Sequence, residues 1–191
     1  NQYCPMTGLP ALRQQVAAKI ARSYGVQRDA DSEITITPGA TEAIFCAVQA
    51  LIHPGDEAIV LDPCYDSYEP SVELAGGRCV HVPLALPEFA VDWQRLADAI
   101  TPRTRLIFIN SPHNPSGALL SRDDLDQLAA LIRGRDIHLI SDEVYEHLIF
   151  DGARHASVLA HQELYARAFV VSSFGKTYHV TGWKTGYVVA P

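Results

Sequence analysis

Short apolar runs typical of β-strands alternate with amphipathic helical patterns along almost the whole chain. The segment "EITITPG" predicts a strand and a turn, "ATEAIFCAVQALI" the following helix, and "DEAIVLDP" the next strand. Parallel strands need a long crossover connection, which is usually a helix. The alternation therefore predicts an α/β fold, a three-layer αβα sandwich around a mostly parallel mixed sheet. No helical pattern separates "AFVVSSF" from "GYVVA", so we expect the last strand to be antiparallel.

Composition narrows the class of protein. The 191 residues, 48% hydrophobic and 19% charged, are enough for a globular domain with a sizeable core. The formal net charge of −7 argues against nucleic-acid partners and against an anionic membrane surface. No apolar run approaches the length of a membrane span.

The four cysteines form no C-x-x-C pair, so we expect reduced thiols and a cytoplasmic protein. The histidines show no metal-ligand spacing, and we interpret His155 and His161 as surface residues.

The turn "TPGATEA" joins the first predicted strand to a helix. In an open α/β sheet, ligands collect at the carboxyl ends of the strands, where this turn lies. Gly39 permits a tight turn, and the free N–H groups near Ala40 and Thr41 at the helix N-terminus would attract an anion. Taken alone, the segment favours an ordinary turn in which Thr41 is the N-cap.

Two proline-containing loops follow other predicted strands. In "DPCYDSYEP", Tyr65 could lie flat against a planar ligand or pack in the core. In "NSPHNPSG", Asn114 sits on a rigid backbone and could donate an amide hydrogen to an anionic oxygen, although a structural turn explains the loop equally well. We predict cis peptide bonds at Asp62–Pro63 and Asn114–Pro115, because both loops turn sharply and X–Pro bonds adopt cis geometry at low cost.

Candidate ionisable residues follow the last two parallel strands. Asp142 ends a buried strand in "ISDEVYEHLIF", which indicates a cationic partner such as a ring nitrogen or an Arg, or else a helix N-cap. Tyr145 can face the same pocket. In "SSFGKTYHVTGWK", Lys176 follows Ser173 at a strand end, where burial would favour a neutral amine suited to Schiff-base formation. Lys184 offers a second cation, and either lysine alone could be a solvated surface residue.

These candidates together require one ligand with several properties. The ligand is planar, carries a phosphate and an acidic phenolic oxygen, has a protonatable ring nitrogen, and bears an aldehyde that reacts with lysine. Pyridoxal 5'-phosphate (PLP) has all of these groups. The residues therefore predict a PLP site at the carboxyl edge of the sheet.

Six motifs occur in the order found in a known family: "QYCPMTGLPALR", "TPGATEA", "DPCYDSYEP", "NSPHNPSG", "SDEVYEHLIFDG" and "SSFGKTYHVTGWKTGY". The chain resembles the class I/II aminotransferases, which are fold type I PLP enzymes, and within them the methionine and kynurenine aminotransferase branch. The resemblance covers essentially all 191 residues. It implies a transferase of amino-acid metabolism that moves an amino group between an amino acid, such as methionine, an aromatic amino acid or glutamine, and a 2-oxo acid.

The resemblance also implies roles for residues around the cofactor ring. Lys176 resembles the family's Schiff-base lysine, which also acts as the general base. Asp142 matches the aspartate that pairs with the pyridine nitrogen. Asn114 and Tyr145 match the pair that hydrogen-bonds the phenolate oxygen, and Tyr65 matches the aromatic residue stacked on the ring.

Further matches surround the phosphate. Ala40, Thr41, Ser173 and Lys184 match the family's phosphate-binding residues; Lys184 stands where many relatives have Arg, which keeps the charge but loses the bidentate fork. Tyr3 matches a tyrosine that reaches the phosphate of the neighbouring subunit, which implies a homodimer with shared active sites. Packing of Tyr3 on the first helix of its own chain is the alternative.

Residues 1–191 correspond to the family's PLP-binding large domain. We expect a fragment that lacks the N-terminal arm and the C-terminal small domain, which carries the arginine that binds the substrate carboxylate. Two alternatives use the same fold: a PLP-dependent carbon–sulfur β-lyase and a non-catalytic PLP-binding regulatory domain. An NAD-binding Rossmann domain is disfavoured because "TPGATEA" lacks the G-x-G-x-x-G pattern.

Overall fold

The computed structural model describes residues 3–191, which form a seven-stranded sheet of order β1-β7-β6-β5-β4-β2-β3. Strands β2 to β6 are mutually parallel wherever they pair, and β7 runs antiparallel to both β6 and β1. The predicted fold class and the antiparallel last strand are confirmed. The strands are Ile34–Thr37 (β1), Glu57–Asp62 (β2), Arg78–Pro83 (β3), Thr104–Asn110 (β4), His138–Asp142 (β5), Ala168–Ser173 (β6) and Gly186–Val189 (β7).

Helices cover both faces of this sheet. Among the described residues, no helix has both the length and the apolar composition needed to cross a membrane. Two short 3-10 turns, Val158–Ala160 and Thr181–Trp183, supplement the helices. The α-helices are Pro10–Tyr24 (α1), Gly39–Leu51 (α2), Tyr68–Leu74 (α3), Trp93–Ala99 (α4), Arg122–Ile132 (α5), Gln162–Tyr165 (α6) and Phe174–Thr177 (α7).

The central strand β4 shows how the sequence builds two cores. Its side chains alternate between faces, because successive residues of a strand point to opposite sides of the sheet. Ile107 and Ile109 pack in the cluster that includes residues of α1, α4 and α5, whereas Leu106 and Phe108 pack against residues of α2 and α3. A strand buried on both faces reads as a continuous apolar run, as "TRLIFIN" does.

Local signals set several helix boundaries. Ser121 and Asp124 form a reciprocal capping box at the start of α5. Gly25 ends α1 with φ of +71°, a conformation that glycine adopts at little cost. The four-residue α7 was not predicted, because "FGKT" is too short to show apolar periodicity. This helix lies between β6 and β7 and leaves their antiparallel pairing unchanged.

His155 is not the surface residue that we expected. Its side chain is 5% exposed, and its Nε2 lies 2.8 Å from Oε2 of the buried Glu143. Glu143 also accepts hydrogen bonds from the Ser141 hydroxyl and the Val158 N–H, each at 2.9 Å. These bonds tie the polar loop after β5 to the sheet. His161 is half-buried, and its Nδ1 accepts a hydrogen bond from the backbone N–H of Leu164 at the start of α6.

Candidate functional site

A cleft lies at the carboxyl ends of β4, β5 and β6, beside the N-terminus of α2. Every predicted site residue except Tyr3 lines this cleft. Their proximity follows from the parallel strands, whose carboxyl ends meet at one edge of the sheet. The predicted residues found there are Gly39, Ala40, Thr41, Tyr65, Asn114, Asp142, Tyr145, Ser173, Lys176 and Lys184.

The N-terminus of α2 forms one wall of the cleft. The helix begins at Gly39, whose φ of +81° is strained for residues with a side chain. Pro38 occupies the N-cap position and Thr41 lies inside the first turn, so the interpretation of Thr41 as the N-cap is wrong. Gly186 of β7 packs directly on this end, because a Cβ there would lie 2.6 Å from the backbone N of Ala40. The helix N-terminus is therefore held against the sheet, and its first residues, Gly39, Ala40 and Thr41, line the cleft.

Lys184 brings a positive charge to the same end of α2. A Cβ built on Gly39 would lie 3.5 Å from Cε and 3.6 Å from Nζ of Lys184, so the ammonium lies against the helix start. Lys184 itself has φ of +51°, a left-handed conformation that costs a non-glycine residue roughly 1–2 kcal/mol. A helix N-terminus and an ammonium both attract anions. Ser173 lies nearby in the cleft, where its Oγ accepts a 3.1 Å hydrogen bond from the Gly175 N–H and caps α7.

Asp142 lies at the base of the cleft and is 5% exposed. Its Oδ2 accepts a 2.6 Å hydrogen bond from the Tyr68 hydroxyl, and its Oδ1 accepts a 3.2 Å bond from the Val144 N–H. Burial raises the pKa of Asp142, and these two donors offset only part of that effect. Residues 144–147 form a turn, so Asp142 does not cap a helix as our alternative interpretation proposed.

Tyr68 was not among the predicted site residues. Its ring is 2% exposed and stacks on Phe108 with a centroid distance of 4.7 Å. The neighbouring Tyr65 meets the Tyr68 ring edge-on at 5.8 Å and is 38% exposed towards the cleft, so Tyr65 is not a core residue. The sequence signal for Tyr68 was the Y-x-x-Y spacing in "DPCYDSYEP". Positions three apart at a helix start can share a face, so this spacing could place Tyr68 beside Tyr65.

Asn110 connects the loop after β4 to Asp142. Its Nδ2 donates a 2.9 Å hydrogen bond to the Asp142 carbonyl oxygen, and its Oδ1 accepts a 2.7 Å bond from the Asn114 N–H. One amide side chain thus sets the positions of two predicted cofactor contacts. Its place at the last residue of a strand, directly before "SPHNP", was the sequence signal for this role.

His113 joins the two proline-containing loops. Its Nε2 lies 2.9 Å from the Pro63 carbonyl oxygen, and its Nδ1 lies 2.7 Å from the Ser116 Oγ. A carbonyl oxygen only accepts, so Nε2 carries the hydrogen and Nδ1 accepts from the Ser116 hydroxyl. Burial lowers the pKa of His113, which favours this neutral form. The predicted cis bonds Asp62–Pro63 and Asn114–Pro115 are confirmed, and Ser111–Pro112 and Leu86–Pro87 are cis as well.

Lys176 lies on α7 at the mouth of the cleft. Its Nζ is 5.7 Å from the ring centroid of Tyr145. The side chain is exposed, so the burial that we expected from neighbouring residues is not provided by this chain. The position of the residue is nevertheless constrained, because a Cβ on Gly175 would lie 3.0 Å from Cα of Thr181. This close approach fixes α7 against the following 3-10 turn.

A buried polar network lies beside the strand that leads to Lys176. Glu146 is 6% exposed and accepts hydrogen bonds from the hydroxyls of Ser172 and Tyr24 and from Lys19 Nζ, with Tyr187 at 3.4 Å. Burial alone would raise the pKa of Glu146, but Lys19 and the hydroxyl donors outweigh it and lower the pKa. The partners come from α1, β6 and β7, so no local pattern in the sequence revealed the network.

Tyr3 does not contact the cleft of its own chain. Its relative exposure is 103%, so the alternative in which it packs on α1 is wrong. The residue lies ahead of α1 and points into solvent. Its role toward a neighbouring subunit stays a prediction.

Comparison with known proteins identifies the family. The family model for aminotransferases of class I and II matches residues 1–191. The chain belongs to the class I/II aminotransferases. Methionine aminotransferase of Escherichia coli (strain K12) is 55% identical over 191 residues, which cover all of this chain and 50% of that protein. Kynurenine–oxoglutarate transaminase 1 of Mus musculus is 38% identical over 202 residues, covering all of this chain and 48% of that protein.

Solved structures agree with this assignment. A crystal structure from Escherichia coli, described as identifying a methionine aminotransferase function, has a TM-score of 0.97 and 55% identity, covering all of this chain and 50% of that one. The resemblance to the methionine and kynurenine aminotransferases is confirmed, and the solved structures agree with the predicted fold class. The chain spans about half the length of the curated relatives it matches.

Proposed function

We propose that this chain is the PLP-binding large domain of an aminotransferase that moves an amino group between an amino acid and a 2-oxo acid. One observation carries the proposal: the amine of Lys176 and the buried carboxyl of Asp142 line the same cleft. An amine that reacts with an aldehyde and a carboxylate that holds a ring proton are the two groups that this chemistry requires.

The residues of the cleft fit PLP. The Asp142 carboxylate is buried with hydrogen bonds from Tyr68 and Val144, and no cation contributes to its pKa among the described residues. A protonated ring nitrogen supplies the opposite charge that a buried carboxylate needs. The N-terminus of α2 and Lys184 together suit a phosphate dianion. The exposed face of Tyr65 suits a planar ring.

Bound PLP supplies an aldehyde that accepts amines and a ring that draws electrons away from the substrate α-carbon. Lys176 would hold PLP through its Nζ, and the same amine, when free, would be the base that accepts the proton of the substrate α-carbon. Asp142 would keep the ring nitrogen protonated, and the Tyr68 hydroxyl stabilises the charged form of Asp142. Asn114 and Tyr145 would hold PLP at its phenolic oxygen.

The proposed substrate is methionine, an aromatic amino acid or glutamine. The names of relatives, which include methionine and kynurenine transaminases, support the first two. Among the described residues, no Arg lines the cleft, so the group that binds the substrate carboxylate lies outside this lining. In the proposal that group belongs to the small domain, and residues 1–191 form the large domain.

The working unit in this proposal is a cytoplasmic homodimer with shared active sites. The outward position of Tyr3 supports it, because the side chain is free to reach a second subunit. The described cysteines Cys4, Cys46, Cys64 and Cys79 are free thiols, which suits a reducing compartment.

The proposal is tested with the full-length protein loaded with PLP. Methionine, an aromatic amino acid or glutamine is supplied with a 2-oxo acid, and the new amino acid is measured. We expect transfer that depends on the 2-oxo acid and is lost in Lys176→Ala. Release of ammonia and a thiol from a sulfur-containing substrate without a 2-oxo acid would instead identify the β-lyase alternative, which the aminotransferase names of the relatives disfavour. Stable PLP binding with neither reaction would identify the regulatory alternative.

A further inference from the structure

A second cluster of ligand-type side chains lies outside the cleft, at the end of β2. Asp62 ends this strand, Cys64 follows two residues later, and His81 lies on the adjacent strand β3. One oxygen, sulfur or nitrogen atom from each of the three lies within 4.8 Å of the other two. None of the three lines the cleft described above.

The two nitrogens of His81 face different partners. Nδ1 lies 3.0 Å from Oδ2 of Asp62, on the side of the cluster. Nε2 lies 3.2 Å from Oε1 of Glu69, which belongs to α3. Metal-binding histidines almost always donate the second ring N–H to a carboxylate, a carbonyl or water, which orients the ring and raises its basicity. Glu69 holds His81 in that arrangement.

The charges around the cluster favour a cation. Asp62 and Glu69 are both carboxylates, and each has an oxygen within 3.2 Å of a His81 nitrogen. Among the described residues, neither carboxylate forms an ion pair with a Lys or an Arg. A divalent cation would neutralise this excess of carboxylate charge.

We propose that Asp62, Cys64 and His81 bind a zinc ion, with water as the fourth ligand and Glu69 orienting His81. Bond lengths of about 2.0–2.3 Å place the ligand atoms of a tetrahedral zinc site roughly 3.3–3.8 Å apart, so small side-chain rotations close the present cluster. Thiolate and imidazole ligands select zinc over magnesium or calcium, which prefer oxygen.

Zinc uptake by the full-length, PLP-loaded protein tests the site. After treatment with a chelator, the protein is dialysed against micromolar zinc, and bound metal is measured by atomic emission. We expect one zinc per chain above the amount retained by Cys64→Ser or His81→Gln. Glu69→Gln is expected to bind roughly tenfold to a hundredfold more weakly. Cys46→Ser, which removes an exposed thiol of α2, is the matched control and is expected to bind like the wild type.

Two further measurements identify the ligands. Cobalt(II) in place of zinc is expected to give a near-ultraviolet thiolate charge-transfer band that disappears in Cys64→Ser. In the wild type, zinc is expected to slow alkylation of Cys64 by iodoacetamide and to leave Cys46 unaffected, as read by peptide mapping. The alkylation measurement uses the wild type alone, so it does not depend on whether the variants fold. The proposal would be overturned by no uptake at micromolar zinc or by equal uptake in the wild type and Cys64→Ser. Alkylation of Cys64 at the same rate with and without zinc would also overturn it.

Discussion

The Tyr68 hydroxyl donates a 2.6 Å hydrogen bond to Oδ2 of Asp142 in the floor of the cleft. Both residues are buried, and the stacking of Tyr68 on Phe108 fixes the direction from which the hydroxyl approaches. Because burial raises the pKa of Asp142, this donor works in the opposite direction and stabilises the charged carboxylate. Tyr68 is therefore the side chain that most directly sets the charge of Asp142.

Tyr68→Phe is expected to move the acid limb of the kcat/KM profile to higher pH. Without the hydroxyl, the pKa of Asp142 rises further, and the carboxylate form is lost at a higher pH as the solution is acidified. The lost hydrogen bond also lowers the free energy of unfolding by about 1 kcal/mol. Tyr165→Phe is the control, because it loses a 2.7 Å bond to Glu33 away from the cleft. An unshifted acid limb in Tyr68→Phe would contradict the role assigned to this hydroxyl.

Asp142→Asn is expected to fold and to retain PLP, but to slow proton transfer severely. An amide cannot hold the proton on a ring nitrogen, so the cofactor loses most of its electron-withdrawing power. Exchange of the substrate α-hydrogen with deuterated solvent measures this step directly. Exchange at a rate near that of the wild type would show that Asp142 does not pair with the ring.

Borohydride reduction of the PLP-loaded protein is expected to attach the cofactor permanently to the peptide that contains Lys176. The assignment depends on the place of this amine in the cleft beside Ser173 and Lys184. Peptide mapping by mass spectrometry identifies the modified residue. Labelling at Lys184 or Lys19 in place of Lys176 would show that the reactive amine is wrongly assigned.

Glu146→Gln is expected to lower the free energy of unfolding by about 3 kcal/mol at pH 7, because it leaves Lys19 largely buried without its counter-charge. The folded-state pKa of Glu146 is depressed, so its contribution is present above the unfolded pKa of about 4.3 and is lost as the pH falls through the folded value. The difference between wild type and variant should therefore shrink below about pH 4.

Thermal melts at several pH values measure this dependence. Glu163→Gln serves as the control, because Glu163 forms an exposed ion pair with Arg133 at 2.7 Å. Exposed ion pairs contribute little, so this variant is expected to keep the melting midpoint of the wild type. If the wild type and Glu146→Gln differ in stability by the same amount down to pH 3, the charge of Glu146 does not provide the stabilisation.

Tyr3→Phe is expected to weaken PLP retention by roughly 0.5–1.5 kcal/mol, the contribution of one hydrogen bond. The decisive measurement mixes Tyr3→Phe chains with Lys176→Ala chains. A mixed dimer contains one site with Lys176 from one chain and the intact Tyr3 from the other, so it should recover wild-type affinity for PLP at that site. A monomeric full-length protein, or mixtures without recovery, would exclude a role across the subunit interface.

The layers of the fold and most of the cleft were predictable because each depends on local pattern. Strand "TRLIFIN" reads as doubly buried, and Asp142 and Asn114 lie where parallel strands end. Their convergence follows from strand direction alone. The cis bonds at Asp62–Pro63 and Asn114–Pro115 were predictable because only X–Pro bonds adopt that geometry readily.

Other features depend on partners that are distant in sequence. Tyr68 begins a helix and could be predicted as a helix residue, but its hydrogen bond to Asp142 requires knowledge of which strands are neighbours. Glu146 reads as a surface residue, since its burial is stabilised by Lys19 from α1. The exposure of Lys176 was not predicted either, because the surroundings of a strand end depend on how the next few residues pack.

The pairing of β1 with β7 also determines when the cleft can form during synthesis on the ribosome. In the described sheet, β7 is the one strand that pairs with β1, although the two strands lie far apart in the sequence. Closing so long a loop is entropically costly, and contacts of this kind form slowly. Gly186, which packs on the start of α2, emerges with β7. The anion-binding end of α2 is therefore completed only after Gly186–Val189 has left the ribosome, and a nascent chain shorter than this should bind PLP poorly.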